Sequence, residues 1–515
     1  MALLQPVEGP RELHGRRRLE VFNPATLERI GEIAIATPED VQAAVERARR
    51  AAPAWAALSF HERGRHLLAL RECVLEQTEE IIDTICRDTG KPRVEVLSME
   101  IAGACDSLTY YARRAERLLR DERKPLHLLK SKKLLICYRP MGVIGIITPW
   151  NFPFMLSLNP AVQALMAGNC VVLKPSEVTP FVGLILERLF EAAGFPEGVF
   201  QLVTGDGSTG AALVEAGCDK ISFTGSVRTG RRVAEACASQ LTPCTLELGG
   251  KDPMIVCEDA DLERAARGAV WGAFANAGQV CTSTERVYVV EKIADSFVER
   301  VVELTRELRQ GPEQEGEVDV GAIIFPPQLE IIERHVRDAV DRGAKVLTGG
   351  RRNPRFEGFF WEPTVLTGVT HEMDIMREET FGPVLPIQIV ADEEKALRLA
   401  NDTRYGLNAN VWTRDRHKGK RIANQLHSGA AVVNDCMITY AIAESPFGGV
   451  KESGIGRVNG ELGLKSYCHV QSVVIDRLGS KRELTWYPYS TRMVQGFRRL
   501  IWLLYRSPLG RLLGG

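Results

Sequence analysis

The sequence predicts an α/β protein whose first half is a doubly wound parallel sheet, followed by a second α/β segment. Three observations carry this. From about residue 130, apolar runs of strand length alternate with amphipathic helical runs. Glycines sit where those strands hand over to helices. At 515 residues and 45% hydrophobic composition, the chain can bury more than one core. Regular alternation of this kind builds a parallel sheet covered by helices, which binds ligands at the carboxyl ends of its strands.

The elements follow in order. "ATPEDVQAAVERARRAAPAW" reads as a helix: Thr37 caps it, Pro38 suits its first turn, and Glu39 and Asp40 favour its positive end. Val41, Val45, Ala48 and Ala52 recur at helical spacing, and residues 60–120 continue as amphipathic helices. "KLLICYRPMGVIGIITPW" holds two strand-like runs split at Arg139–Pro140. "NCVVLKP" is a buried strand, and "TPFVGLILERLFEAAG" a helix closed by Gly194. "GVFQLVTG", "STGAALVEAG", "DKISFTG" and "SVRTGRRVAEACAS" repeat the strand–helix rhythm. A second series starts at Thr245 with "TLELGGKDPMIVCE", a helix near 261–276, "RVYVVEK" and a helix near 292–309. The stretch 311–319 is a surface loop, and strands and helices run on to about Val450.

Composition narrows the function. A net charge of −1 lacks the basic footprint of a nucleic-acid binder. The 12 cysteines are scattered, with no C-x-x-C pair and no metal-ligating cluster, as in a reducing compartment. The N-terminus has no basic stretch followed by an apolar core, so a cytoplasmic protein is expected. The stretch 140–173 has no charged residue, but Pro149, Pro153, Pro160, Asn151, Asn159 and Asn169 interrupt it. Buried strands and loops around a site are expected there, not a membrane span.

Six motifs can carry chemistry. "GDGSTG" (Gly205, Gly207, Gly210) matches G-x-G-x-x-G between a strand and a helix, but lacks the acidic residue about 20 positions on. "SFTGSVRTG" competes with it, since Gly225 and Ser226 open a helix whose free N–H groups attract anions. In "VVLKPSE", Lys174 and Glu177 end a strand where they could hold ribose hydroxyls; a solvated ion pair is the bland alternative. Asn151 in "TPWNFP" offers an amide donor to an oxyanion, or simply makes a turn. Glu247 in "LELGGK" is a general base if desolvated, or faces water on a strand edge. Cys281 in "FANAGQVCTSTERV" follows a small-residue turn, where a neighbouring base or dipole would activate it; otherwise it fills core.

Together and in this order, with "EETFGPV" and "PFGGVKESGIGR", these motifs resemble the aldehyde dehydrogenase superfamily from about Val21 to Val474. "LELGGK" and "FANAGQVC" match its active-site signatures. The resemblance implies a nucleotide-binding domain (1–125 and 141–246), a catalytic domain (247–467) and a small β-arm (126–140 and 468–480) that joins subunits into dimers or tetramers. It also implies that Cys281 attacks the aldehyde, Asn151 and the Cys281 amide hold the oxyanion, and Glu247 activates water against the thioester. Lys174 is expected beside them. The dinucleotide would lie along Ile147, Thr148, Trp150, Lys174, Ser176, Glu177, Gly225, Ser226, Leu248, Glu379 and Phe381, with Gly207 in a lesser role. Glu177 would pair with ribose hydroxyls and repel a 2′-phosphate, favouring NAD over NADP.

Two readings compete: a CoA-acylating semialdehyde dehydrogenase, which would not need Glu247, and an idle scaffold on the same fold, which would not need the Cys281–Glu247–Asn151 set. After "GIGR", Val458–Asn459 departs from the family's acidic continuation, which puts the local helix start in doubt. Met155, Trp271, the residues before Phe447 and the stretch 436–440 are candidates for the substrate tunnel. Beyond about Ser480 the resemblance fades. The tail 485–515 carries Arg492, Arg498, Arg499, Arg506 and Arg511 and no acid, with Met493, Phe497, Leu500, Ile501 and Leu504 on one helical face. Such a helix suits an anionic membrane surface and would make a lipid-derived long-chain aldehyde a natural substrate; docking on a protein surface is the alternative.

Overall fold

The computed structural model describes residues 11–13, 16–313 and 316–508. Residues 1–10 of the expected first domain and 509–515 of the tail, with Arg511, lie outside them. The described chain divides into two compact units, one of residues up to Arg120 together with Tyr138–His469, the other of Asp121–Cys137 and the residues from Val470.

The larger unit contains two mainly parallel sheets. In the first, the order is Gly454–Ile455, Cys244–Glu247, Lys220–Thr224, Val143–Ile147, Cys170–Lys174 and Phe200–Leu202. Only the short Gly454–Ile455 strand runs antiparallel, against Leu246 and Glu247. The central strands are buried along their whole length, as expected of strands covered on both faces. The second sheet holds seven strands, among them Pro253–Val256, Arg286–Val290, Val384–Val390 and Asn410–Trp412.

The Thr37 cap forms as expected, its side chain accepting from the Asp40 amide at 3.2 Å, and Asp40 returns a bond to complete a capping box. Three expectations change. The charge-free stretch is not only strands and loops: Met155–Met166 is a helix with every residue buried, and Pro160 lies inside it. Burial on all sides hides the periodicity that would have revealed it. "TLELGGKDPMIVCE" splits at Gly249–Gly250, so Cys244–Glu247 completes the first sheet and Pro253–Val256 begins the second. The expected second domain, 247–467, therefore returns its strand Gly454–Ile455 to the first sheet. Among the described residues, no helix is long and apolar enough to cross a membrane.

The smaller unit has a three-stranded sheet, with Lys132–Pro140 between Glu122–Lys124 and Cys468–Asp476. Lys132 joins it by an ion pair to Asp476 at 2.7 Å and a second to Glu483. The strand Cys468–Asp476 leaves Val470, Val474 and Ile475 exposed. The helix Thr491–Tyr505, capped by Ser490, buries none of its residues fully. Met493, Phe497 and Leu504 are half-buried, while Leu500, Ile501, Trp502 and Tyr505 are exposed.

Candidate active site

The first sheet explains why residues distant in sequence converge. Parallel strands end together, so Ile147, Lys174, Thr224 and Glu247 terminate neighbouring strands on one side. The amide of Thr148 donates to the Lys174 carbonyl at 3.2 Å, and its hydroxyl meets Ser157 at 2.8 Å. The segment 148–151 is thereby pinned over the strand ends.

Cys281 sits just beyond a tight turn. Helix Leu262–Phe274 passes into a short 3-10 turn, Ala275–Gly278, in which Asn276 and Ala277 adopt left-handed backbone angles of φ 50° and 53°. Side chains hold this strained turn. Asn276 Nδ2 donates to the carbonyls of Asn151 at 3.0 Å and Gln279 at 3.1 Å. Asn151 Nδ2 donates to the Gln279 carbonyl at 2.9 Å, so the loop carrying Asn151 and the loop carrying Cys281 are tied directly. Cys281 packs with Tyr440 against an apolar cluster of Leu407, Phe447 and Val458. Tyr440, one of the tunnel candidates, thus approaches the thiol, and its hydroxyl accepts from Asn159 at 3.1 Å. Trp271 is 48% exposed and Met155 is buried.

Glu247 is not a water-facing strand residue. It is 2% exposed, and neither carboxyl oxygen has a hydrogen-bond partner. Burial, reinforced by the Glu379 carboxyl, pushes its pKa up to about 8. Glu379 is raised to about 8 as well, by burial and then by Glu285. The thiol differs from the expectation. Burial raises Cys281 well above the ordinary range, and Glu247, Asp252 and Glu379 push in the same direction. Among the described residues, the groups that act on the thiol are carboxyls rather than a cation, so they favour its protonated form.

Of the residues expected to hold a dinucleotide, Ile147, Lys174 and Leu248 end or follow strands of the first sheet, while Glu379 and Phe381 come from the loop before Val384–Val390 of the second. Lys174 is buried and its Nζ meets the half-exposed Glu177 at 2.8 Å, so the pair is neither solvated nor sealed. Ser176 is buried and its hydroxyl accepts from the Val178 amide at 3.2 Å. Ser226 caps the helix Val227–Ser239. The Gly225 amide is already used, donating to the Glu247 carbonyl at 3.0 Å, so Gly225 serves by lacking a Cβ, which would collide with the Phe223 ring. Gly207 opens the helix Gly207–Glu215 and has open space around its Cα. Leu248 is buried against Gly230. Glu379 accepts from the Gly250 amide at 3.0 Å, and Trp150 stands edge-on to Phe381 with centroids 5.5 Å apart. The buried Lys174 with its partly exposed partner Glu177, the Ser226 helix N-terminus and the two unpaired Glu247 oxygens are polar groups of the kind a pyridine dinucleotide and a reacting carbonyl need.

Sequence reasoning missed the residues that hold these loops. Glu285 takes Lys251 at 2.5 Å and the amides of Thr380 and Phe381, each at 2.8 Å, fixing the loop behind Glu379. Lys91, Glu95 and Glu100 lie in a region read only as amphipathic helix, yet all three are buried. The signal was Gly90: its left-handed φ of 66° ends the helix Thr78–Thr89 and turns Lys91 inward. Asn459, at the point of departure from the family pattern, accepts from Asn159 at 2.6 Å and donates to the Tyr440 carbonyl at 2.8 Å.

Known proteins share both the sequence and the fold. The pattern of the aldehyde dehydrogenase family matches residues 12–473. A 4,4'-diapolycopene aldehyde oxidase from Methylomonas sp is 40% identical over 478 residues, 92% of this chain and 89% of its own. A Mycobacterium tuberculosis aldehyde dehydrogenase, solved in complex with NAD+, superposes with a TM-score of 0.86 at 35% identity, covering 90% of this chain and 95% of its own. An E. coli NADP-dependent enzyme gives the same TM-score, 0.86, also at 35% identity, and covers 90% of this chain and 95% of its own. A pyridine-nucleotide fold, the ordered motifs and a match across nearly the whole length lead to one conclusion: the chain belongs to the aldehyde dehydrogenase family.

Proposed function

We propose that this protein oxidises an apolar, lipid-derived aldehyde to its carboxylic acid, with NAD as the electron acceptor. The observation that carries the reading is Glu247: a buried carboxyl with both oxygens unpartnered, close enough to the Cys281 thiol to raise it.

The Cys281 thiol gives up its proton to solvent as Sγ bonds to the aldehyde carbon, whose C=O π pair moves onto oxygen to give a thiohemiacetal oxyanion. Asn151 Nδ2 and the Cys281 amide stabilise the oxyanion; losing one such donor costs about 10²–10³ in rate. A pyridine dinucleotide held in this site would supply the acceptor for the hydride that leaves the thiohemiacetal carbon. A thioester remains on Cys281. Glu247 takes a proton from water, the hydroxide adds to the thioester carbon, and the S–C bond breaks to release the acid. Lys174 and Glu177 would hold the adenosine ribose, Ser226 would face the pyrophosphate from the start of its helix, and Glu379 with Phe381 would hold the second ribose. Glu177 favours NAD by repelling a 2′-phosphate, although structural relatives include an NADP-dependent enzyme and one solved with NAD+. Hydrolysis by Glu247 weighs against CoA acylation.

The substrate class is supported by the apolar wall beside Cys281, by a relative named for diapolycopene aldehyde, and by the exposed aromatic and arginine side chains of the helix Thr491–Tyr505. That helix would lie on an anionic membrane. The exposed strand Cys468–Asp476 would pair with a second copy to form a dimer or tetramer. NADH formation at pH ~8, where Glu247 ionises, tests the reading against aldehydes from acetaldehyde to hexadecanal, with and without phospholipid vesicles. Rates rising with chain length and again with vesicles are expected. Turnover confined to short or charged aldehydes overturns the lipid assignment, and no turnover of any aldehyde overturns the whole.

A further inference from the structure

A buried ion pair lies behind the oxyanion donor. Lys91 and Glu100 meet at 2.7 Å, with side chains 1% and 0% exposed. The pair does not stand alone in the core. Lys91 Nζ also donates to the Asn151 backbone carbonyl at 2.7 Å and sits 4.1 Å from the Phe152 ring centroid. The other Glu100 oxygen accepts from the amides of Phe154 at 2.8 Å and Met155 at 3.3 Å, the first turn of the fully buried helix Met155–Met166. One ion pair thus grips the loop 151–155 at both ends.

The same short segment reaches the nucleophile's loop. Glu95 accepts from the Asn276 amide at 2.8 Å, inside the left-handed turn before Cys281. Between Glu95 and Glu100 the backbone widens into a π-helix, Val96–Ile101. This extra width departs from the helical register and is a local feature common beside functional sites. A buried ion pair is weak evidence for stability, because desolvation offsets most of its attraction. Its retention here calls for another benefit, and the geometry supplies one: all three polar side chains end on backbone atoms of the two loops that must face each other.

We infer that Lys91 and Glu100 are positioning residues for the oxidation. They fix the Asn151 backbone so that its amide points at the nascent oxyanion, while Glu95 fixes the turn that presents Cys281. This rests on the proposed role of Asn151 as oxyanion donor. Displacements of about 1 Å in such a donor are enough to cost orders of magnitude in rate.

A double-mutant cycle on the pre-steady-state burst of NADH tests it. Lys91→Met, Asn151→Ala and the double variant are compared with the parent enzyme. Because Lys91→Met strands the Glu100 carboxylate, Lys91→Met/Glu100→Gln is carried in parallel, and Lys91→Arg serves as the conservative rescue. Lys91→Met is expected to slow the burst at least about tenfold, with the Kd for NAD and the rate of Cys281 alkylation by iodoacetamide unchanged. Lys91→Arg recovers most of that loss. In the Asn151→Ala background, Lys91→Met is expected to add less than about threefold, since residues acting as one unit are non-additive. Full multiplication of the two losses, or equal slowing of the burst and alkylation, overturns the inference while leaving Asn151 in its role. An unchanged burst in Asn151→Ala removes that role, and the inference with it.

Discussion

The Glu379 carboxyl accepts a hydrogen bond from the Gly250 amide at 3.0 Å, which seats it beside the strand end that carries Glu247. Two carboxyl groups are thereby confined in one dry site, and a Cβ on Gly249 would fall on the Glu379 oxygens. Gly249→Ala is therefore expected to destabilise the protein by about 1–3 kcal/mol through overpacking. Gly249→Ala/Glu379→Ala should regain much of the loss. Thermal melts of the four proteins check this, and strictly additive effects would count against a direct clash.

Glu247 gives stability a pH dependence. Its carboxyl is raised from 4.5 to about 8 in the folded protein. Between those values the unfolded chain gives up a proton that the folded chain keeps, so this group lowers stability as pH rises from about 4.5 to 8. Its contribution is most favourable below the unfolded value. Glu247→Gln should melt above the parent at pH 8.5 and level with it near pH 4.5. The same variant should retain an NADH burst and lose steady-state turnover.

The thiol should be sluggish in the free enzyme. Burial and then Glu247 raise Cys281 well above its ordinary value. Alkylation by iodoacetamide should be slow at neutral pH and speed up as pH rises. Glu247→Gln should shift that profile to lower pH, because one repelling charge is gone. A profile with a plateau below pH ~7 would show an activated thiolate instead.

Cofactor choice should turn on Glu177. Glu177→Gln removes the carboxylate charge paired with Lys174. The ratio of kcat/KM for NADP to that for NAD should rise at least about fivefold, since two unit charges about 4 Å apart repel by about 1 kcal/mol even in bulk water. An unchanged ratio would place cofactor selection elsewhere.

The tail gives the last test. Deleting residues 485–515 should abolish sedimentation with anionic vesicles, with acetaldehyde oxidation as the check that the shortened protein is folded. Vesicle binding that survives deletion would end the membrane assignment.

The candidate site was legible in the sequence because its residues stand in short local motifs. Asn151, Lys174, Gly225, Glu247 and Cys281 all stand in short motifs at strand ends or turns, where local patterns are strongest. The alternation that predicts parallel strands also follows from local periodicity. Helix Met155–Met166 escaped because complete burial removes the polar face that marks a helix. The splitting of the Thr245 series between two sheets escaped because a glycine pair reads the same whether a chain turns within a sheet or leaves it.

By itself, the sequence determined the family, most of the strand–helix alternation and the candidate reacting groups, since these depend on residue type and near-neighbour spacing. Only the tertiary structure decided their electrical state and their support. The raised carboxyls of Glu247 and Glu379, the protonated thiol of Cys281 and the Lys91–Glu100 grip on Asn151 all arise from groups brought together across long separations in the chain. Coulomb interaction and desolvation depend on distance and burial in space, and neither is written in the spacing of residues along the chain.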